Sequence, residues 1–367
     1  MLRRAINRIA IRIARKKGYS AYMAPIVCKQ LWSDFLCDTG VSLPKKLWAY
    51  RRGFLSERIR LYGLTGKNYR SYVSDFAYWR LHPINGPYSK WIDDKLTMRQ
   101  VLSTYSDYMP KYFYHLQNGR VLPLVDHPFP EASSHSEESI IQLLRTEHNL
   151  IAKPCAAERG RGFHKLSVRE PTAQTLFVDH RQVSVKELTH VLKDMQNYII
   201  TECVTPHADI RRLCPSTSNP VRLIVVNDPP AGPTIVWAHV KFGVKESGAV
   251  ETLAAGAVFC PVALANGELL EPVRYVDGEL TQSSVHPDTN VSISGCIPHW
   301  DLVKGTLIRI GRSFPQLRYI GYDVIVTDSA FKVIEMNSQP SLVFPQLCTP
   351  LMENHHFRRL LAGASQR

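Results

Sequence analysis

The sequence lacks the marks of several large classes of protein. None of its apolar runs approaches the roughly 20 residues that a membrane-spanning helix requires, and no internal repeat is visible. Its 8 cysteines are scattered, with neither a CxxC pair nor the spacing of a metal site. Because the chain is long and no secretory signal is recognisable, we expect reduced thiols rather than a disulfide framework. These absences favour a cytoplasmic protein.

The composition indicates a folded, basic protein. The 367 residues are 44% hydrophobic and 10% aromatic, enough to bury one large core or two to three smaller ones. Lys and Arg number 45 against 32 acidic residues, a net charge of +13 that favours anionic partners. Basic residues are dense only at the N-terminus and at 51–60, whereas a nucleic-acid-binding stripe would cluster them, so nucleic acid is not expected as a partner.

The N-terminal segment 2–17 has the pattern of a basic amphipathic helix. Leu2, Ile6, Ile9 and Ile13 recur at helical spacing, and Arg and Lys cover the remaining positions. Two hypotheses stay open. Such a helix lies on an anionic membrane surface as a peripheral contact, or it packs its apolar stripe on the body of the protein.

The remaining pattern predicts an α+β protein with a mainly helical, basic N-terminal extension. Region 1–89 is rich in aromatic residues, with helical spacing at 43–62, and it shows no motif that carries chemistry. From about residue 90, helices and strands alternate before a mostly antiparallel sheet. The predicted helices are 97–105, 136–148, 184–196 and 300–313, and the predicted strands are 111–116, 150–154, 198–204, 221–227, 234–243, 319–327 and 331–337.

A predicted hairpin near the C-terminus carries three oxygen-bearing side chains. The segment GYDVIVTDSAFKVIEMNSQPSL places Asp323 on its first strand and Glu335 and Asn337 on its second, around a turn at 328–330. Residues two apart on a strand share a face, so Glu335 and Asn337 point together and pairing can add Asp323. Such hard oxygen ligands suit Mg²⁺. The alternative is an ordinary exposed hairpin.

Two further segments have the residues of a nucleotide site. Lys153 stands on a strand that runs into a loop with Gly160 and Gly162, where backbone N–H groups approach a phosphate closely, although neither common phosphate-loop motif is matched. The segment ITECVTPHAD has Glu202 at a strand end, with Val204 offering backbone groups to a flat base and Asp209 a candidate for ribose hydroxyls. The alternatives are a surface hairpin with a basic tip and solvated carboxylates.

The order of these segments resembles the ATP-grasp superfamily. Its first Asp-Lys helix is matched by DDKLTMRQVL. The closer resemblance is to the sugar-transfer-associated ATP-grasp family, related to alpha-L-glutamate ligases, and it covers about 90–345. It rests on ITECVTPHADIRRLCPSTSNPVRLIVV, VHPDTNVSISGCIPHWD and YIGYDVIVTDSAFKVIEMNSQPSL. The resemblance implies an ATP-grasp fold with two α+β subdomains clasping ATP, divided as 1–89 (helical extension), 90–205 (N-terminal and lid subdomains) and 206–367 (C-terminal subdomain with the metal site).

The resemblance also implies roles for individual residues. ATP would be bound through its phosphates, adenine and ribose, one or two Mg²⁺ ions would be held by the hairpin, and two cations would face the reacting phosphoryl and acyl groups. These sets are, in order, Lys95, Lys153, Gly160 and Gly162; Glu202 and Val204; Asp209; Asp323, Glu335 and Asn337; and Arg222 and Lys241. The sequence departs from the family in a phosphate loop that reads AERGRG and in Asn219-Pro220-Val221-Arg222, where Asn-Thr-x-Arg is usual.

The function implied is that of an ATP- and Mg²⁺-dependent carboxylate–amine ligase that works through an acyl phosphate. Cell-surface glycan or peptide natural-product biosynthesis is its expected setting. One alternative is a kinase on the same scaffold that phosphorylates a hydroxyl group. Another is a nucleotide- or nucleic-acid-binding module without turnover. His286, in VHPD, either shapes the acceptor pocket or forms a structural turn.

Overall fold

Two antiparallel sheets, each of seven strands, organise the part of the chain that the computed structural model describes. That part comprises residues 2–129, 135–156, 161–169, 175–229, 231–245, 256–276 and 279–364. The first sheet contains residues 112–202 and the second contains residues 221–337, so the predicted boundary at 205/206 falls between them. The α+β prediction is confirmed.

A helical region precedes the first sheet, as predicted. Its helices are α1 (Leu2–Lys16), α2 (Met23–Leu36), α3 (Leu43–Arg51), α4 (Arg58–Leu61), α5 (Asp75–Arg80), α6 (Lys90–Asp93) and α7 (Lys95–Val101). The continuous helix expected over 43–62 is wrong: residues 52–57 interrupt it. The break follows from Gly53, whose φ of +83° is left-handed and whose missing Cβ leaves room for Ser74.

The apolar stripe of α1 does not pack on the body of the protein. The helix contacts α2 through the buried Ala14 and the half-buried Ile11, and Met23 and Val27 of α2 belong to the same cluster. Ile9 and Ile13 stay 57% and 51% exposed. Across the residues described, no helix combines the length and the hydropathy needed to cross a membrane.

The first sheet carries two helices on one face. Leu144 and Leu188 of these helices pack against Leu150 and Ile200 of the strands in one buried cluster. Ser136 starts the first helix as predicted, and its backbone N–H donates to Ser139 Oγ. The strand order is β2-β1-β7-β3-β4-β5-β6, for β1 (Tyr112–Gln117), β2 (Arg120–Pro123), β3 (Asn149–Pro154), β4 (His164–Val168), β5 (Leu176–Val178), β6 (Arg181–Val183) and β7 (Tyr198–Glu202), with α8 (Glu137–Glu147) and α9 (Val185–Asp194).

The second sheet is covered on both faces. Leu307 and Ile310 pack on one face with the main core, and Phe344 and Phe357 pack on the other with Tyr319. Its order is β12-β11-β10-β9-β8-β13-β14, for β8 (Val221–Asp228), β9 (Gly232–Phe242), β10 (Val258–Pro261), β11 (Val273–Val276), β12 (Glu279–Gln282), β13 (Tyr319–Val326) and β14 (Phe331–Asn337), with α10 (Ala208–Arg211), α11 (Trp300–Ser313), α12 (Val343–Cys348) and α13 (His355–Ala364).

Two predicted helices have different ends in the structure. The helix expected at 97–105 is α7, which begins two residues earlier because Asp94 Oδ1 accepts from the Thr97 backbone N–H at 2.8 Å. It ends at Val101, and residues 103–108 form a 3₁₀ segment instead. The helix expected to reach residue 196 stops at Asp194, since Asn197 adopts a left-handed φ of +58°.

Candidate active site

A row of polar side chains crosses the second sheet. Strand register places His239 opposite Arg222, Arg222 opposite Asp323, and Asp323 opposite Glu335. Residues directly opposite each other in antiparallel strands project from the same face, so β9, β8, β13 and β14 contribute one residue each to the row. The predicted pairing of Asp323 with Glu335 across the hairpin is confirmed.

Asp323 is a buried carboxylate held by two cations. Arg222 forms a two-pronged ion pair with it: Nε donates to Oδ1, and Nη2 donates to Oδ2 at 2.6 Å. Lys241 Nζ lies 3.6 Å from Oδ1. Burial acts to raise the pKa of Asp323, but Arg222 and then Lys241 outweigh it and hold the pKa well below its usual range. Asp323 is therefore ionised at neutral pH.

Glu335 is reached by two lysines from outside the second sheet. Lys95 Nζ, from the first turn of α7, lies 3.5 Å from Glu335 Oε1. The Lys95 backbone N–H donates to the Cys155 carbonyl at 2.9 Å, which joins α7 to the end of β3. Lys153 of β3 donates from Nζ to the Ile334 carbonyl at 3.2 Å. The two lysines predicted to bind phosphate thus converge on β14.

Asn337 leaves a buried hydrogen-bonding group unpaired. Its Nδ2 atom has no hydrogen-bond partner among the residues described, next to the carboxylate row. Rotation of the amide presents Oδ1 at the same place, and an unpaired buried polar atom indicates a missing ligand. With Asp323 and Glu335 it completes an oxygen donor set that fits Mg²⁺. No group of three His, Cys, Asp or Glu side chains that could hold a metal occurs elsewhere in the described ranges.

The proposed adenosine residues lie at the end of β7 and beyond it. Glu202 Oε2 accepts from the Lys111 backbone N–H at 3.0 Å, so this carboxylate fixes the start of β1. Val204 is buried. Asp209 is an exposed residue of α10, and its recorded ion-pair partners are His207 and Arg212 rather than the central row. These adenine and ribose assignments remain predictions.

Comparison with known proteins places the chain in a family. The family described as sugar-transfer associated ATP-grasp matches residues 83–354, well over half of the sequence.

This chain belongs to the sugar-transfer-associated ATP-grasp family.

The predicted family and ATP-grasp fold are thereby confirmed, and the helical region before residue 83 is outside the match.

Solved structures with similarity to the chain include three ATP-grasp or ligase entries. An ATP-grasp ligase named PsnB, complexed with minimal precursor, is 13% identical, with 77% of this chain and 63% of that chain covered and a TM-score of 0.38. The L-amino acid ligase from Bacillus licheniformis is 10% identical (74% and 48% covered, TM-score 0.37). The D-alanyl-alanine synthetase A from Vibrio cholerae is 10% identical (76% and 68% covered, TM-score 0.42). No curated protein matches.

Gly162 closes the ATP-grasp loop after β3 against two side chains. Its φ is +73°, and a Cβ there would lie 2.5 Å from Tyr198 Oη and 2.9 Å from Pro154 Cγ. Gly160, the other predicted loop glycine, lies outside the described residues. Gly162 therefore serves both a left-handed turn and a close approach to β3 and β7.

Substitution of Gly162 by alanine should lower the free energy of unfolding by about 3 kcal/mol, because it adds a clash to the left-handed strain. Gly63→Ala is the matched control: its φ is +58°, and no atom lies within 4 Å of the added Cβ. Strain alone should cost the control about 1 kcal/mol. Urea unfolding of both variants measures the difference, and equal losses would contradict the close approach.

Two histidines have roles that the sequence did not settle. His239, which motif analysis missed, is buried, accepts at Nδ1 from Trp237 Nε1 at 2.9 Å, and stacks on Phe344. Burial first, and then Lys241 and Arg222, hold its pKa well below the usual value, so it is neutral. His286 is completely buried and contacts the Gly243 carbonyl through Nε2 at 2.8 Å. That contact favours the structural-turn hypothesis over the acceptor-pocket one.

Proposed function

We propose that this chain is an ATP- and Mg²⁺-dependent ligase that joins a carboxylate to an amine through an acyl phosphate. The observation that carries the proposal is one cluster of opposite charges: Asp323 and Glu335 lie in register with Arg222, and Lys95 and Lys153 reach the same strand. Carboxylates that hold a metal and cations that hold phosphates are the two requirements of phosphoryl transfer from ATP.

The residues divide between nucleotide and acceptor. Lys95 and Lys153 would bind the ATP phosphates, and Asp323, Glu335 and Asn337 would hold one or two Mg²⁺ ions. Bound Mg²⁺ supplies neutralisation of the β- and γ-phosphate charge. Arg222 and Lys241 would orient the acceptor carboxylate, since a fixed guanidinium matches a carboxylate or phosphoryl group in two places.

The proposed reaction has two balanced steps. A carboxylate oxygen of the substrate attacks the γ-phosphorus, and the bond to the β-phosphate oxygen breaks, giving an acyl phosphate and ADP. The amine then attacks the acyl carbon, inorganic phosphate leaves, and the amine loses a proton to water. Arg222 would stabilise the oxyanion of the second step. The cationic acceptor side suits an acidic substrate, and a cell-surface glycan or a peptide natural product is the proposed product class.

The test is ATP turnover with Mg²⁺ against a panel of carboxylic acids, with hydroxylamine as the amine. ADP, inorganic phosphate and hydroxamate are read together. All three in equal amounts are expected, because hydroxylamine captures the acyl phosphate. ADP with a phosphorylated hydroxyl compound and no free phosphate would replace the ligase by a kinase. ATP binding without turnover across the panel would favour a module that binds nucleotide only.

The affinity for ATP should fall as pH rises through the pKa of Lys153. Burial of the ammonium group, and next the Lys95 charge, lower this pKa to about 8. Lys153 is therefore charged below that pH and neutral above it, and only the charged form attracts phosphate. We expect the Kd of ATP to rise about tenfold for each pH unit above about 8.

Calorimetric titrations of ATP from about pH 7 to about pH 9.5 measure this dependence. Lys153→Arg is the matched variant, because a guanidinium stays charged over this range and should make the profile nearly flat. A steep profile that persists in Lys153→Arg would assign the titration to another group.

A further inference from the structure

The net positive charge of the protein is concentrated in the helical region before the ATP-grasp match. Residues 1–60 contain 14 Lys and Arg against 3 Asp and Glu, a net charge of +11 out of the total of +13. The other 307 residues are nearly balanced, with 31 basic and 29 acidic residues. A cationic domain appended to a nearly neutral one indicates an anionic partner for that domain.

The same region also exposes large apolar side chains. Of the 16 large hydrophobic residues exposed in the described part of the chain, 8 lie between positions 9 and 47. These include Ile9 and Ile13 of α1 and, at the end of α2, Trp32, Phe35 and Leu36 at 56%, 44% and 63% exposure. Scattered surface apolar residues are normal, but this concentration is typical of a binding surface.

Helix α1 combines both properties on one element. It contains no acidic residue, and Arg8, Arg12 and Lys16 are exposed. Ala14 fixes the helix on α2. Positions 9 and 13 therefore lie about a quarter turn or more away from the packed face. The isoleucines are held outward by the fold, with cations beside them.

We propose that Ile9, Ile13, Arg8, Arg12 and Lys16, hereafter the N-terminal surface, dock on an anionic phospholipid bilayer. The cations would contact lipid phosphates, and the isoleucines would enter the boundary between headgroups and acyl chains. A nucleic acid would pair with the cations but would leave the isoleucines in water. A symmetric dimer through this surface would bring two strongly cationic regions together. This inference goes beyond the proposed ligase function and does not depend on it.

The test is co-sedimentation of the full chain with vesicles of phosphatidylcholine alone and of phosphatidylcholine with about 30% phosphatidylserine. Selective binding to the anionic vesicles is expected. Arg8→Gln with Arg12→Gln should weaken it about 30-fold, since each cation contributes about fivefold. Ile9→Gln with Ile13→Gln, which leaves the charge unchanged, should weaken it about tenfold.

Val125→Gln with Leu270→Gln is the matched control, because both are exposed apolar residues away from this surface, at 69% and 45%. Its vesicle binding should equal that of the wild type. Native mass and an RNA-binding assay are run on the same proteins. Equal binding to neutral vesicles, or full binding by both N-terminal variants, would overturn the proposal. So would a dimer that Ile9→Gln with Ile13→Gln dissolves, or binding to RNA in place of vesicles.

Discussion

Replacement of Glu335 by glutamine should abolish ATP turnover and leave nucleotide binding measurable. Glutamine keeps the size and one carbonyl oxygen, but it loses the charge that Lys95 faces at 3.5 Å and that a metal ion needs. Because metal-assisted charge neutralisation supplies several kcal/mol to phosphoryl transfer, kcat should fall about a thousandfold. ADP release measures turnover, and calorimetry measures nucleotide affinity.

Glu271→Gln is the control for this substitution, as an exposed glutamate distant in sequence from the hairpin. It should retain full turnover. The two variants should also unfold cooperatively, so that lost activity is not lost structure. Turnover that survives in Glu335→Gln would remove Glu335, and with it the hairpin, from the proposed metal site.

The elements around the site were largely predictable from local sequence. The hairpin of β13 and β14 was placed within one residue, because β-branched and apolar runs flank a polar turn at 328–330. Helix α11 was predicted with both ends correct, since its apolar residues recur at helical spacing. The short strands β10, β11 and β12 and the last two helices were not predicted, because segments of four to ten residues give little periodicity.

The contacts between elements were beyond local pattern. Arg222 and Asp323 are 101 positions apart, and their ion pair depends on the register of β8 against β13. Lys153 was assigned to phosphate, but its approach to Ile334 depends on how the two sheets pack. His239 gave no motif, because its position beside Arg222 follows only from the pairing of β9 with β8.

The N-terminal helix shows the same limit. Periodicity identified the stripe of Ile9 and Ile13 but not the face that packs. That face is decided by Ala14, whose small side chain allows α2 to approach closely. The apolar stripe with the largest side chains is consequently the one left in water.

Asp323→Asn should cause the largest loss of stability among substitutions in the row. It leaves Arg222 and Lys241 as adjacent, largely buried cations with side-chain exposures of 16% and 14%. Breaking one partner out of a buried ion pair costs about 3–5 kcal/mol, because the remaining charge is neither solvated nor paired. Urea unfolding at neutral pH measures this loss. Asp301→Asn, whose side chain is 94% exposed, is the control and should change stability by less than about 0.5 kcal/mol.

A second substitution separates charge imbalance from lost packing. Lys241→Met in the Asp323→Asn background removes one of the two uncompensated cations and keeps an aliphatic side chain. It should recover about 1–2 kcal/mol, a coupling that independent sites would not show. No recovery would mean that the loss arises from packing around β13 rather than from charge.

The pH dependence of the same pair has a definite sign. The folded pKa of Asp323 lies well below its unfolded value because Arg222 and Lys241 stabilise the carboxylate. Its contribution is therefore fully present above the unfolded pKa of about 3.9 and is lost as pH falls towards the folded pKa. The stability difference between wild type and Asp323→Asn should stay constant from about pH 8 to about pH 5 and shrink below about pH 4. A difference that shrank already near neutral pH would require a titrating group other than Asp323, and His239, neutral beside Arg222, is the nearest candidate in the row.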